Sequence, residues 1–423
     1  FNQGFGVLGL TFNTYDLNLF LQDDWRVNPR LTLNLGLRWE YQRNPRPRNT
    51  NPSLPQTGNI VDDRNNFGPR IGFAYDATGD GKTSLRGGYG IYYGRVINST
   101  IYNALVNTGV GIDQGQRQVT VTASSSLAPN FPNLIASGTL VAPAVQYFAP
   151  NFANPQIHQV DLVVEREIAR NTVASASYLY SQGRRLPNFV DTNLNPPSTF
   201  VGLNVVNGPF AGQVLRTPLF LGSRPNTSFG PITEIRSNIT SKYNALVLQI
   251  NRRLTDGLQF QSNYTLSRSQ DNGQASITFT TGNLPFNAFD QAFENSLSNF
   301  DRRHKFVTSV VYNTDFFGQD GSDLGRAILN NWTISPIVNI LSGPRLTGTL
   351  SGTLSPASFG FTGANCTGGP GTCPTPGGGV NGSGGSTRFS LVPRNFFKLP
   401  KIVNVDLRLS RRFRLKESMA IEV

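Results

Sequence analysis

The chain has few of the residue types from which metal sites and disulfide frameworks are built. Its 423 residues include only two cysteines, two histidines and one methionine. With two cysteines, Cys366 and Cys373, a four-cysteine zinc site is impossible. The two histidines, His158 and His304, lie far apart in the chain and lack the spacing of zinc ligands. We therefore expect no metal site and no cofactor.

Long apolar runs are also missing. No stretch approaches the roughly eighteen consecutive apolar residues that a membrane-spanning helix needs. This does not exclude a membrane, because the strands of a membrane barrel carry apolar residues only at alternate positions. Charged residues make up only 15% of the chain, beside 43 glycines and 29 phenylalanines. This composition favours a barrel over an ordinary enzyme.

The segment from residue 31 to residue 41 shows such an alternation most clearly. One side carries Leu31, Leu33, Leu35, Leu37, Trp39 and Tyr41, and the other carries Thr32, Asn34, Gly36, Arg38 and Glu40. A period of two predicts a β-strand with two distinct faces. A transmembrane barrel needs an apolar outer face that ends in aromatic residues, and a polar inner face. A water-soluble barrel would have its apolar face inside.

The same pattern recurs along the whole chain. It predicts strands at 13–27, 31–41, 67–77, 84–96, 156–168, 172–184, 242–254, 258–270, 303–314, 331–342, 402–414 and 419–423. The connections alternate between short turns and long loops, as in outer-membrane barrels with short periplasmic turns and long extracellular loops. We therefore predict an all-β fold, a transmembrane antiparallel up-and-down β-barrel with about twelve strands in this chain. The alternative is a large soluble β domain.

Several of these strands resemble a known family. Leu21-Gln-Asp-Asp-Trp-Arg-Val27, continuing into the strand at 31–41, resembles a barrel hairpin of TonB-dependent outer-membrane receptors. Asn66-Phe-Gly-Pro-Arg-Ile-Gly-Phe-Ala-Tyr-Asp76, followed by 79–90, resembles the Oar-like subgroup. Motifs at 252–260, 263–267, 300–304 and 404–413 are similar to those of the same subgroup and occur in the expected order. The likeness touches most predicted strands and almost none of the long loops.

The resemblance implies a barrel of about twenty-two strands around a plug domain. The plug, a segment that contacts TonB and the terminal strand are not visible in this sequence. We therefore expect 1–423 to be the later part of such a barrel in a bacterial outer membrane. The implied function is uptake of a large or scarce extracellular ligand. The implied partners are outer-membrane lipid, the protein's own plug and the periplasmic TonB complex. The alternative is a non-transport surface barrel for adhesion, assembly or secretion.

Patterns that could carry catalysis do not pass closer tests. The glycine-rich turn at 76–83 lacks the leading glycine of a phosphate-binding loop and the closing glutamate of an EF-hand loop. Asp301, His304 and Ser309 could be combined into a triad, but no Gly-x-Ser-x-Gly elbow surrounds the serine. We therefore expect no catalytic site. The alternative interpretation of the triad residues is a polar cluster at the mouth of the strands.

Cys366 and Cys373 flank Thr-Gly-Gly-Pro-Gly-Thr in the longest glycine-rich loop. Two cysteines so close in a flexible loop can reach disulfide geometry, and outside the cytosol they should oxidise. We predict a disulfide that closes this loop. Two free thiols are the alternative.

The formal net charge of +12 is spread along the chain. The arginines form no single stripe with interleaved aromatic residues, so we expect no nucleic acid partner. The residues predicted to face the lumen, where a ligand could reach them, are Arg38, Glu40, Arg70, Arg86 and Arg408. On one interpretation these charges are solvated and pair with neighbouring residues or the plug. On the other, some of them contact ligand.

Overall fold

The structure is a computed structural model. It describes residues 1–5, 9–110, 117–130, 132–135, 138–197, 199–204, 209, 211–219, 224–273, 285–316, 323–348, 388, 392–416 and 419–423. Cys366 and Cys373 lie outside the described residues, so the disulfide stays a prediction.

Strands dominate the described part of the chain. In chain order they are β1 Asn2–Phe5, β2 Tyr15–Asn28, β3 Leu31–Arg43, β4 Asn66–Asp76, β5 Thr83–Tyr93, β6 Arg117–Thr120, β7 Thr139–Val141, β8 Val145–Phe148, β9 Gln156–Ala169, β10 Thr172–Asp191, β11 Thr199–Asn204, β12 Val214–Leu219, β13 Ile232–Thr255, β14 Leu258–Asp271, β15 Ser296–Leu297, β16 His304–Asn313, β17 Trp332–Leu341, β18 Arg345–Leu346, β19 Phe397–Lys398, β20 Ile402–Lys416 and β21 Met419–Glu422. The α-helices are α1 Asn98–Val106 and α2 Asp323–Leu329, and single 3-10 turns occupy Pro55–Gly58 and Gln291–Glu294. No helix in the described ranges is long and apolar enough to cross a membrane.

One sheet of fourteen strands forms the wall of the molecule. Its path runs β2-β3-β4-β5-β9-β10-β13-β14-β16-β17-β20-β21, with β8 and β15 attached at the side. Every pair along this path is antiparallel. These are the twelve predicted strands in their predicted order. The all-β, antiparallel, up-and-down prediction is confirmed at this level.

The tight turns at one end of the sheet are fixed locally by asparagine, aspartate and glycine. Asn28 Oδ1 accepts hydrogen bonds from the backbone N–H groups of Arg30 and Leu31, at 2.9 and 3.0 Å. Asn171 and Asp256 take positive φ values of 61° and 50°, which these residue types tolerate better than most. The connection at 314–331 lies at the same end but is longer and contains α2.

The apolar residues of the sheet lie on an exposed face. Leu35 is opposite Ile71, and Ile71 is opposite Tyr89, so the three share one side of the sheet. Ile71 is 56% exposed, and Val405 on β20 is 63% exposed. In a water-soluble protein this side would be covered by a core. We call it the apolar face and its opposite the polar face.

The buried core lies at the end of the sheet that carries the long loops. Its members come from the first two long loops and from the ends of β10 and β13: Val61, Val96, Ile101, Ala104, Leu105, Phe148, Phe152, Phe189 and Ile235. Helix α1 contributes Ile101, Ala104 and Leu105 from one side, at the spacing of an amphipathic helix. Strand β8 pairs in parallel with the beginning of β13. Described residues of the first two long loops therefore form a packed layer with the ends of β10 and β13, which we call the loop layer.

Strands β10 and β13 pass from the wall into the loop layer. Their register shifts between Gly183 and Leu186, and Arg185 in between has a φ of 56°. Such an irregularity bends a strand and re-aims its side chains. Beyond it, residues 187–191 of β10 are buried. The prediction ended this strand at 184, because the period of two is lost there.

Candidate functional site

A recess lined by glycine lies on the polar face of β3, β4, β5 and β9. The register aligns two neighbouring rows across these strands, Asn34–Gly72–Gly88–Asp161 and Gly36–Arg70–Gly90–Gln159. They line a cavity of about 300 Å³. A Cβ atom added at Gly36 or Gly72 would meet nothing closer than 3.7 and 3.5 Å. The packing of the wall itself therefore leaves room for a side chain at these two positions.

Arg70 is the charged centre of this recess. Its guanidinium lies over the ring of Tyr92, 4.6 Å from the centroid. Asp24 and Asp161 also line the recess, and Asp24 Oδ1 accepts a hydrogen bond from Asn34 Nδ2 at 2.5 Å. Within the described part of the chain, Arg70 forms no ion pair and its Nε has no hydrogen-bond partner. Arg70 is therefore a positive charge of the recess that no described carboxylate neutralises through an ion pair.

A second recess of about 260 Å³ lies nearer the loop layer. Arg38 Nε donates to Glu40 at 2.6 Å, and Arg38 Nη2 donates to Asn18 Oδ1 at 3.0 Å. Arg95, which follows β5, pairs with Asp16 at 3.0 Å. Gln42 Nε2 donates a hydrogen bond to the carbonyl oxygen of Val96, and Gln42 Oε1 accepts one from the Val96 N–H. These two hydrogen bonds connect the wall to the loop layer.

Arg86 and Arg408 lie apart from these recesses. Arg86 forms an ion pair with Glu165 on β9. Arg408 pairs with Glu422 across β20 and β21 at 2.9 Å, near the other edge of the sheet. The alternation along the strands puts all five predicted lumen residues on the polar face, and of these Arg38 and Glu40 contact each other. Contact with a ligand stays a prediction for each of them.

Asp301, His304 and Ser309 are not brought together into a triad. His304 shares a face with Phe306 and Tyr264, whereas Ser309 is an odd number of residues away and points to the opposite face. His304 Nδ1 lies 2.7 Å from the hydroxyl of Tyr264. Asp301 is buried, and it accepts hydrogen bonds from the backbone of Ser269 and from Arg345. The side chains therefore serve separate local contacts.

The other histidine has the same kind of environment. His158 Nδ1 lies 2.8 Å from the hydroxyl of Tyr89, on a different strand pair. In the described ranges, no three histidine, cysteine, aspartate or glutamate side chains are grouped so as to hold a metal ion.

A buried ion network joins two long loops, and sequence reasoning missed it. Glu294 accepts hydrogen bonds from Arg388 Nη1 at 2.9 and 2.7 Å, and both side chains are buried. Arg394 pairs with Asp271 and lies 3.4 Å from Glu294. The one signal in the sequence that could have indicated this network is the presence of Arg388 and Arg394 after a glycine-rich segment that has few other charges. The network joins Glu294, in the segment after β14, to Arg388 and Arg394, in the segment before β19.

The comparisons with known proteins agree with this architecture. All residues, 1–423, match a family model described as outer membrane beta barrel domain. No curated protein matches the chain. Among solved structures, the outer membrane transporter YddB from Escherichia coli aligns at 12% identity with a TM-score of 0.52, covering 96% of this chain and 40% of that one.

Two further structures align with lower scores. The siderophore receptor PirA from Acinetobacter baumannii aligns at 10% identity and a TM-score of 0.47, covering 97% of this chain and 41% of that one. The ferripyoverdine receptor of Pseudomonas aeruginosa aligns at 10% identity and a TM-score of 0.46, covering 96% of this chain and 33% of that one. The chain thus spans well under half the length of the solved proteins that it resembles.

Proposed function

Because this chain belongs to the outer membrane β-barrel domain family, we propose that it forms part of the wall of a TonB-dependent receptor. This receptor takes up a large or scarce ligand across the outer membrane. The protein is located in the bacterial outer membrane, and the family consists of barrels rather than enzymes. The Oar-like subgroup is the member type that its strand motifs favour.

The length of the chain relative to its structural neighbours supports a larger barrel. The E. coli transporter that shares its fold is more than twice as long. The sheet path has two ends, β2 and β21, and within the described residues these strands do not pair with each other. We propose that further strands close the wall, to about twenty-two in all. Residues 1–423 then belong wholly to the barrel domain.

The recess around Arg70 is the observation that carries the proposal of a plug. The interior of a small barrel is filled by its own side chains, whereas the lumen of a twenty-two-stranded outer-membrane transporter is closed by a plug. Here Gly36 and Gly72 place no side chains on the polar face beside Arg70, which forms no ion pair with any described residue. Asp24 and Asp161 supply acceptors at the same place. Such a surface suits polar contact with a plug that is preceded by a TonB-contacting segment.

The loop layer supports capture of a ligand outside the cell. Its packed apolar core joins described residues of the first two long loops, and the ion network around Glu294 joins described residues of two later ones. A fixed surface loses less conformational entropy on binding than mobile loops do. In this proposal the loop layer receives the ligand, the plug moves under force from the TonB complex, and the ligand then passes along the polar face.

Photo-crosslinking in cells tests the plug contact. In the full-length protein, p-benzoylphenylalanine replaces Gly72 on the polar face or, as the matched control, its neighbour Ile71 on the apolar face. We expect irradiation to join position 72 to a segment encoded before Phe1, and position 71 to lipid. Equal products from both positions, or no intramolecular product from position 72, would contradict the proposal.

Uptake tests the transport role. A deletion strain should fail to grow on a ligand that the complemented strain takes up, and a protonophore should abolish that uptake. The role in adhesion, assembly or secretion replaces this proposal if the gene encodes neither a plug nor a TonB-contacting segment before Phe1.

A further inference from the structure

A basic cavity opens on the apolar face, away from the lumen. Its volume is about 780 Å³, and it lies where β2 and β3 meet the first long loop. Its lining includes Tyr15, Tyr41, Arg43, Arg46, Asp62 and Arg64. Tyr15 is opposite Arg43, and Leu17 is opposite Tyr41, so these side chains share the face that carries Leu21. We call this cavity the rim cavity.

Two aromatic residues place the rim cavity at the boundary between membrane and water. The rings of Trp39 and Tyr41 stack with their centroids 6.1 Å apart on the apolar face. Their polar atoms reach the loop: Trp39 Nε1 donates to the carbonyl oxygen of Arg64 at 2.7 Å, and the Tyr41 hydroxyl donates to Asp62 at 2.8 Å. Tryptophan and tyrosine take this orientation at the level of lipid headgroups. The rim cavity therefore lies among the headgroups of the outer leaflet.

The rim cavity carries an excess of positive charge. Arg64 is held by two hydrogen bonds to Asp62, at 2.9 and 2.8 Å, so these two charges offset each other. Arg43 and Arg46 are exposed, and neither forms an ion pair with any described residue. The hydrogen bond from Arg64 is the main cause that lowers the pKa of Asp62; the hydrogen bond from Tyr41 lowers it further, and the charge of Arg46 makes a smaller contribution. Two arginines are thus left to bind an anion.

We propose that the rim cavity binds the phosphate group of a lipid headgroup in the outer leaflet. Arg43 and Arg46 contact the phosphate oxygens, since a guanidinium matches phosphate geometry with two parallel hydrogen bonds. The acyl chains lie along the exposed side chains of Leu17, Leu19 and Leu21 just below. This adjoining apolar surface favours a lipid over free phosphate. The inference depends on the outer-membrane location and not on the proposed transport.

Lipid binding by the purified full-length protein tests this site. Native mass spectrometry would compare three probes, which are bisphosphorylated lipid A, the same lipid without phosphates, and inorganic phosphate. We expect the unmodified protein to bind the phosphorylated lipid most tightly. Arg43→Gln and Arg46→Gln should each weaken that binding about tenfold, the usual effect of losing one charge-assisted hydrogen bond. Arg48→Gln is the matched control, because Arg48 is an exposed arginine of the same loop outside the cavity lining.

Three results would overturn the proposal. They are unchanged lipid binding by the Arg43→Gln, Arg46→Gln double variant, equal binding of the lipid without phosphates, and inorganic phosphate binding as tightly as the lipid. Folding of each variant is checked by circular dichroism and by the heat-dependent shift in gel mobility. Arg43→Lys, which keeps the charge but not the planar donor pair, should bind with intermediate affinity.

Discussion

A charge placed on the apolar face should destabilise the protein far more than the exposure of that face suggests. Val405 lies on β20 opposite Val338 and is 63% exposed. In water, Val405→Arg would change the free energy of unfolding by about 0.5 kcal/mol or less, because such a position has little packing to lose. In a bilayer, an arginine on the lipid face costs about 2–4 kcal/mol near the midplane. We expect the larger value.

Urea titration of the full-length protein in lipid vesicles measures this difference. The matched control is Asn404→Arg, because Asn404 is the adjacent residue on the polar face and is also exposed. That variant should change the free energy of unfolding by less than about 1 kcal/mol, since its new charge faces an aqueous lumen. Equal effects of the two substitutions, or a negligible effect of Val405→Arg, would refute the assignment of the two faces.

Three further predictions follow from local contacts. Gly68→Ala should destabilise the wall, because the added Cβ would lie 2.5 Å from the carbonyl oxygen of Ile91 on the next strand. The control Gly36→Ala should be tolerated in the same urea titration, because its added Cβ would lie 3.7 Å from the nearest atoms. Glu294→Gln should lower the free energy of local unfolding around this residue by about 3–5 kcal/mol, because it leaves two buried arginines without this carboxylate. Limited proteolysis should therefore cleave this variant faster than the control Asp290→Asn, whose substitution is at an exposed residue. The folded-state pKa of Asp62 is lowered, chiefly by the hydrogen bond from Arg64. Its contribution to folding stability is therefore fully present above the ordinary carboxyl pKa and is lost as the pH falls through the lowered, folded-state pKa. The fluorescence of Trp39 should report this transition, and Asp62→Asn should remove it.

The wall of the molecule could be predicted from the sequence because its information is local. Alternate residues such as Leu33, Leu35 and Leu37 define a face within a single strand. The antiparallel order then follows from consecutive strands joined by turns such as the one at Asn171. The loop layer could not be predicted this way. Its core joins residues from distant segments, such as Phe148 and Ile235, and neither shows a period that reveals its partner.

The candidate site was predicted only in part for a similar reason. Alternation assigns Arg70 and Gly72 to the polar face, but it does not say which residues of the neighbouring strands lie beside them. The register supplies this, and it aligns Gly36 and Gly90 with Arg70 to form the recess. The pairing of Glu294 with Arg388 depends on two long loops that meet in space. No spacing within either loop encodes such a contact.

The central claim is that the apolar face meets lipid while the polar face lines an aqueous lumen. Spin labels attached to single cysteines along β3, from residue 33 to residue 38, test it in the full-length protein in vesicles. Labels at 33, 35 and 37 should be relaxed by oxygen, which dissolves in the bilayer, and labels at 34, 36 and 38 by a water-soluble nickel complex. Relaxation without a period of two, or strong nickel access at Leu35, would contradict the account.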